Sequence, residues 1–204
     1  MARDLQDRAA LGKLADDYSA AAAKAANDAD AQYRAAVACS YLAEVAIEQH
    51  DRKGGQQAAE RGIKPAEKAV SLKPNSAEYY RILGTLYGQA IIDLPSGLSY
   101  GAKAKEAINK TVELAPKSAD AWVAHGVGNY YLPSMLGGGP KPAIEDFKKA
   151  ITLDPKNAEA YLWLGVSLHK DNRVAEARQA FAKSLELNPK RVWAKQQLDK
   201  TPTK

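Results

Sequence analysis

The sequence predicts an all-α fold of stacked helix pairs, about nine or ten helices in 204 residues. Three observations carry that expectation. Over 158–191, apolar residues recur three and four apart on both sides of a polar break, Lys170-Asp171-Asn172-Arg173, the pattern of two amphipathic helices. The closing Leu-x-Pro of that stretch, Leu187-Asn188-Pro189, returns upstream as Leu153-Asp154-Pro155 and Leu114-Ala115-Pro116. Alanine is abundant while Phe and Met occur twice each, which suits helices stacked closely without a large central core.

Taken in order, residues 3–28 form an N-terminal helical segment with a stripe of Leu11, Leu14, Ala15, Tyr18, Ala22 and Ala25. Asn27-Asp28-Ala29-Asp30 supplies a turn with capping residues. A helix from about 30 to 50 carries Tyr33, Val37, Tyr41, Val45 and Ile47, and Asp51-Arg52-Lys53-Gly54-Gly55 is expected to break it. A third helix over 56–72 ends before Pro74, so 30–76 reads as a divergent pair stretched by about a dozen residues. The unit 77–118 opens Ala-Glu-Tyr-Tyr-Arg-Ile-Leu-Gly and holds an excess of about eight residues within 91–101. The unit 119–157 opens Ala-Asp-Ala-Trp and holds an excess of about five within 132–140. The undisturbed unit, 158–191, sets Tyr161, Leu164, Gly165 and Leu168 against Val174, Ala177, Phe181, Ser184, Leu185 and Leu187. Residues 192–200 read as a capping helix, and the whole of 1–204 as a single domain.

Tyr161, Leu164-Gly165, Ala177, Phe181 and Pro189 resemble the tetratricopeptide repeat, a 34-residue helix-turn-helix with those residue types at set offsets. The resemblance covers about 30–191 and is strongest from 77 onward. It implies a right-handed helical-repeat solenoid with a concave groove lined by the first helix of each pair. The break Leu132-Pro133-Ser134-Met135-Leu136-Gly137-Gly138 is similar to one in solitary bacterial repeat proteins, including the periplasmic accessory component of some tripartite transporters.

The groove positions implied by the resemblance are Arg81, Thr85 and Gln89, then Val123, Val127, Tyr130 and Tyr131, then Leu162, Val166, His169 and Lys170. An apolar and aromatic middle with polar ends suits an extended peptide or an amphipathic helix. The carboxylate clamp used by some family members needs Lys and Asn. Arg81, Thr85, Val123 and Val127 stand there instead, which disfavours chaperone tails. The extra stretches contribute Leu94, Pro95 and Tyr100, and Leu132, Pro133, Met135 and Leu136. Met135 and Leu136 are expected to fold back and hide their apolar surface, with glycines supplying the unusual backbone angles.

Other classes find little support. The net charge of +5 is spread through helices that also carry Asp and Glu, as on a solvated surface and unlike a nucleic-acid stripe. The single Cys39 excludes an internal disulfide and a thiolate metal cluster, and its Ala/Val/Leu surroundings mark a small buried filler. His50, His125 and His169 fall in three separate units without HExxH spacing, so neither metal nor catalytic residues are expected. His125 occupies a packing offset and reads as hydrogen-bonded core. Gly126-Val127-Gly128 lies inside a helix and reads as packing, not a dinucleotide loop. No apolar run is long enough to span a membrane.

The sequence therefore points to a non-catalytic module that binds a protein or peptide partner without a cofactor. One alternative is a small-ligand accessory protein with the 94–100 and 132–140 stretches as pocket walls. A second is a self-assembling array in which Val192, Trp193 and Leu198 meet another copy. The compartment is cytoplasmic by default, or periplasmic if Met1 stands where a signal was removed.

Overall fold

A computed structural model describes residues 1–202. Among them are ten α-helices: α1 (Arg8–Lys24), α2 (Ala29–Glu48), α3 (Arg52–Leu72), α4 (Ala77–Gln89), α5 (Leu94–Leu114), α6 (Ala119–Tyr131), α7 (Pro140–Leu153), α8 (Ala158–Lys170), α9 (Val174–Leu187) and α10 (Val192–Lys200). A 3₁₀ turn, Ser134–Leu136, lies between α6 and α7. The chain divides into two compact units, Met1–Leu114 and the part from Ala115 onward.

Local chemistry fixes where these helices start and stop. Ser76, Ser118 and Asn157 stand immediately before α4, α6 and α8, and their side chains accept from the backbone N–H of Tyr79, Ala121 and Ala160. Asp7, Asp28 and Asp51 cap α1, α2 and α3 in the same way. Each cap satisfies a donor that the first helical turn leaves unpaired, for about 1 kcal/mol. The ends of α2 and α8 are closed by His50 (φ 66°) and Asn172 (φ 62°) in the left-handed region. There the N–H of Asp51 reaches the carbonyl of Ala46, and that of Arg173 the carbonyl of Leu168, each at 2.9 Å.

Two expected breaks are helix instead. Gly54 and Gly55 lie in the first turn of α3, because Asp51 accepts from the Gly54 N–H at 2.9 Å and nucleates the helix there. Gly55 is required by proximity: a Cβ would stand 2.6 Å from Cγ1 of Ile47. Likewise Leu94, Pro95 and Tyr100 belong to α5 and form no loop. Asp93 accepts from the Ser96 N–H at 2.9 Å, and Pro95 falls in the first turn, where its missing N–H costs no bond. The extra residues of 30–76 and 77–118 are thus mostly taken up as longer helices, 20 and 21 residues in α2 and α3 and 21 in α5. Only 132–140 is a true interruption. At the N-terminus α1 begins at Arg8, later than expected, and the preceding turns are tied to α2 by Arg3 on Glu44 (2.8 and 2.7 Å) and Gln6 on Glu48 (2.9 Å).

Within each unit, large side chains enter notches left by small ones. In the first unit α2, α3 and α4 meet at Gly62, where a Cβ would come within 2.8 Å of Cys39 Cβ and Leu86 Cδ2. Cys39 is fully buried there, and that burial raises its thiol pKa. Ile108 of α5 fills the notch at Gly84 of α4. In the second unit Phe147 of α7 fills the notch at Gly126 of α6, and Phe181 of α9 that at Gly165 of α8. Both rings are fully buried, each contributing about 1.5–3 kcal/mol. Trp193 and Leu198 of α10 pack on the cluster of Ile144, Leu162, Leu168 and Phe181, so the last helix turns its apolar side onto its own unit.

Candidate protein-interaction site

The groove residues named from the sequence are partitioned between the units. In the first unit, Arg81, Thr85 and Gln89 follow one another at four-residue spacing on α4, each partly exposed. Their polar groups are already engaged. Arg81 grips Glu78 with two hydrogen bonds, 2.7 and 2.6 Å, and the Tyr33 hydroxyl donates to the same carboxylate at 2.6 Å. Burial alone would raise the Glu78 carboxyl pKa; Arg81 and Tyr33 together more than offset it, and the net displacement is downward. Thr85 donates to the carbonyl of Arg81 at 2.8 Å, and Gln89 exchanges hydrogen bonds with Ser40 of α2 at 3.2 and 3.1 Å. Tyr79 stacks on Tyr33 at 5.0 Å and donates its hydroxyl to Asp30. This face is satisfied by its own residues.

The second unit differs. Val123 and Val127 are partly buried on α6, and Val166 packs against the core. Leu162 is fully buried in that core, which removes it from any partner surface. It belongs there to the cluster of Ile144, Leu168 and Phe181. The residue beside it, Trp163, is the one that sequence reasoning passed over. Its ring lies 5.8 Å from Tyr130, 6.1 Å from Tyr131, 6.5 Å from Phe147 and 5.2 Å from Trp193. Phe147 is the buried floor of this cluster, and Tyr131 is its open edge at 64% exposure. Tyr130 and Tyr131 meet edge to face at 5.0 Å, and burial raises the Tyr130 phenol pKa. Flanked by Leu162 and Leu164, Trp163 reads in sequence as one more core residue; only the juxtaposed rings reveal it as a hub.

Lys170, at the end of α8, places its ammonium 4.2 Å from the centre of the Tyr130 ring and donates to the Tyr130 carbonyl at 3.3 Å. His169 lies 3.4 Å from the Thr201 hydroxyl. Deeper between α6 and α7, Asp146 is nearly buried, 2.8 Å from His125 Nδ1 and accepting from Asn129 at 2.7 Å. His125 is therefore a hydrogen-bonded packing residue, and the edge of Trp122 lies against it at 5.6 Å.

The loop after Tyr131 is held by its own backbone. Leu136 N–H and Gly138 N–H donate to Pro133, and Gly139 N–H donates to Asn129 at 2.8 Å. Gly137 and Gly139 have φ of 86° and 104°. At Gly138 a Cβ would stand 2.1 Å from the Leu132 carbonyl oxygen. Leu132 is partly buried and Pro133 exposed. Contrary to the sequence expectation, Met135 and Leu136 do not hide: they are 89% and 61% exposed. Leu94 and Pro95 in the first unit are exposed as well, while Tyr100 stacks on Tyr87 at 5.9 Å.

Two shallow hollows open in the second unit. One, about 410 Å³, is lined by Lys141, Pro142, Ile144, Glu145, Asp171 and Arg173; the other, about 460 Å³, borders residues 172–176 and Pro202. Neither includes the aromatic cluster. Among the described residues no set of three or more His, Cys, Asp or Glu is placed to hold a metal ion, and no helix is long and apolar enough to cross a membrane.

Helix pairs that meet at small-residue notches are the architecture of a helical-repeat protein. More particularly, residues 141–172 match the family profile described as TPR repeat, and 158–191 that described as tetratricopeptide repeat. Residues 141–191 thus match tetratricopeptide-repeat profiles, and the described residues have the all-α helical-repeat solenoid fold. It is 29% identical over 133 residues to the mouse protein O-mannosyl-transferase TMTC1, and 36% identical over 94 residues to small glutamine-rich tetratricopeptide repeat-containing protein 2 of Mycosarcoma maydis. Those matches cover 64% and 46% of this chain, but only 13% and 25% of the respective relatives. The crystal structure of TTC0263, a thermophilic TPR protein of Thermus thermophilus, superposes with a TM-score of 0.69 over 97% of this chain and 96% of that one, at 19% identity. That likeness establishes the fold. Proteins of this fold generally act as non-catalytic scaffolds for protein partners.

Proposed function

We propose that this protein is a non-catalytic interaction module that docks a peptide segment of its partner on the aromatic face around Trp163. The observation that carries this reading is the contrast between the two units. On α4 the groove side chains are consumed by internal hydrogen bonds, whereas Tyr131 is 64% exposed beside Trp163 and Tyr130. Exposed aromatics bring large contact area with little side-chain entropy to lose, so they serve as anchors. Partly pre-packed rings lose still less, because Phe147 and Trp193 already hold Trp163.

The test is a selection of displayed peptides on the wild-type protein, followed by binding to Tyr130→Ala/Tyr131→Ala. The selected peptides bind the wild type in the micromolar range and lose at least tenfold in affinity on the double variant, while helical content stays unchanged. Equal affinity for both proteins would remove the aromatic face as the docking site. The same loss on Arg81→Ala, in the other unit, would move the site to α4.

A further inference from the structure

We infer that the aromatic face selects peptides in which a bulky apolar residue lies two or three positions from an Asp or Glu, with the carboxylate meeting Lys170. The inference rests on the docking reading above and adds the chemistry of the partner.

The charge of the chain is unevenly divided. Residues 1–114 hold fifteen Lys and Arg against fifteen Asp and Glu, and are neutral; residues 115–204 hold fourteen against nine, and carry the whole +5. In the first unit the cations around the α4 face are matched: Arg81 with Glu78, Lys73 with Asp30 at 3.1 Å. In the second unit Arg191 is buried against Glu159, and Arg173 pairs with Glu176. Lys170 has no such partner: its ammonium touches the Tyr130 ring and carbonyl, and among the described residues no carboxylate lies within ion-pair distance of it. The segment that carries Tyr130, Tyr131 and the following loop, 121–144, contains no Asp or Glu at all.

An ammonium already oriented by a ring face and a carbonyl leaves less ordering to do, so an incoming carboxylate gains a charge-assisted hydrogen bond. Geometry then sets the spacing. The Lys170 ammonium is 4.2 Å from the Tyr130 ring and Trp163 is 5.8 Å from it, so the cation and the Trp163 ring are at most about 10 Å apart. An extended peptide advances roughly 3.3 Å per residue, which places the acidic and apolar side chains two or three positions apart.

The experiment uses three labelled peptides sharing one Trp anchor, with Glu, Gln or Lys placed two residues away. Their affinities are measured by fluorescence anisotropy for wild type, Lys170→Gln and Lys170→Glu at low and high salt. The Glu peptide is expected to bind the wild type about tenfold more tightly than the Gln peptide at low salt. That advantage disappears in Lys170→Gln, and Lys170→Glu favours the Lys peptide. Equal binding of the Glu and Gln peptides to wild type overturns the charge preference and leaves the docking face intact. A preference that survives in Lys170→Gln overturns the assignment to Lys170. If none of the three binds wild type, the docking reading falls with it.

Discussion

Phe181 lies in the notch at Gly165: a Cβ on that glycine would stand 2.6 Å from the ring's Cδ1 and Cε1. The ring is fully buried with Leu162, Leu168 and Ala177 around it, so it has little room to retreat. Gly165→Ala therefore overpacks the core, at about 1–3 kcal/mol. This exceeds the roughly 1 kcal/mol of helix propensity that alanine gains over glycine. The urea midpoint of Gly165→Ala is expected to fall, whereas Gly88→Ala on α4, whose Cβ would meet open space, is expected to hold or raise it.

The loop over 132–140 separates a backbone requirement from an apolar one. At Gly138 any side chain meets the Leu132 carbonyl at 2.1 Å, so Gly138→Ala forces the loop to move, at about 1–3 kcal/mol. Faster hydrogen exchange at the Gly139 amide, which is bonded to Asn129, reports that movement. Met135→Ser, at an 89% exposed position, is expected to change stability by less than about 0.5 kcal/mol.

Asp146 joins α6 to α7 through His125 at 2.8 Å and Asn129 at 2.7 Å. Asp146→Ala leaves both partners without their acceptor in a nearly buried position, a loss of roughly 1–3 kcal/mol in chemical denaturation. Asp146→Asn keeps a carbonyl acceptor and is expected to lose less. Equal losses for the two variants would show that packing volume, not hydrogen bonding, is what Asp146 supplies.

The Glu78 cluster gives the first unit a pH dependence with a definite sign. The folded carboxyl has a pKa below its ordinary 4.5, because Arg81 and Tyr33 outweigh the opposing effect of burial. Its contribution is fully present above pH 4.5 and is lost as pH falls through the lower folded value. Wild type is expected to lose more stability than Glu78→Gln between neutral pH and that acidic window. Parallel losses would place the acid sensitivity in other carboxylates.

Much of the fold was legible because its signals are local. The apolar stripes of 158–191, the Gly and Phe offsets, and the closing prolines all act within one or two turns, and each helix pair must bury its stripe on a neighbour. The notches at Gly126 and Gly165 fall where their spacing indicates. The two expected breaks that are helix instead were also local, but depended on which of two competing signals prevails. Gly54-Gly55 and Leu94-Pro95 look like helix breakers in composition, yet Asp51 and Asp93 cap helices directly through them. A capping aspartate followed by a first-turn proline or glycine is a helix start, and its hydrogen bonds outweigh the modest propensity cost.

The sequence by itself determined the helix periods, the repeat register and the residues that pack Phe147 and Phe181 into glycine notches, since those follow from spacing along one chain. Only the tertiary structure decided which groove side chains remain available. Arg81 and Lys170 look alike as exposed cations in sequence; one is closed on Glu78, and the other rests on Tyr130 with no carboxylate of the described residues within ion-pair distance. The same holds for Leu162 and Trp163, adjacent in the chain, one fully buried and the other ringed by four aromatics. Pairing and burial depend on what other helices bring within a few ångströms, and no period along the chain encodes that.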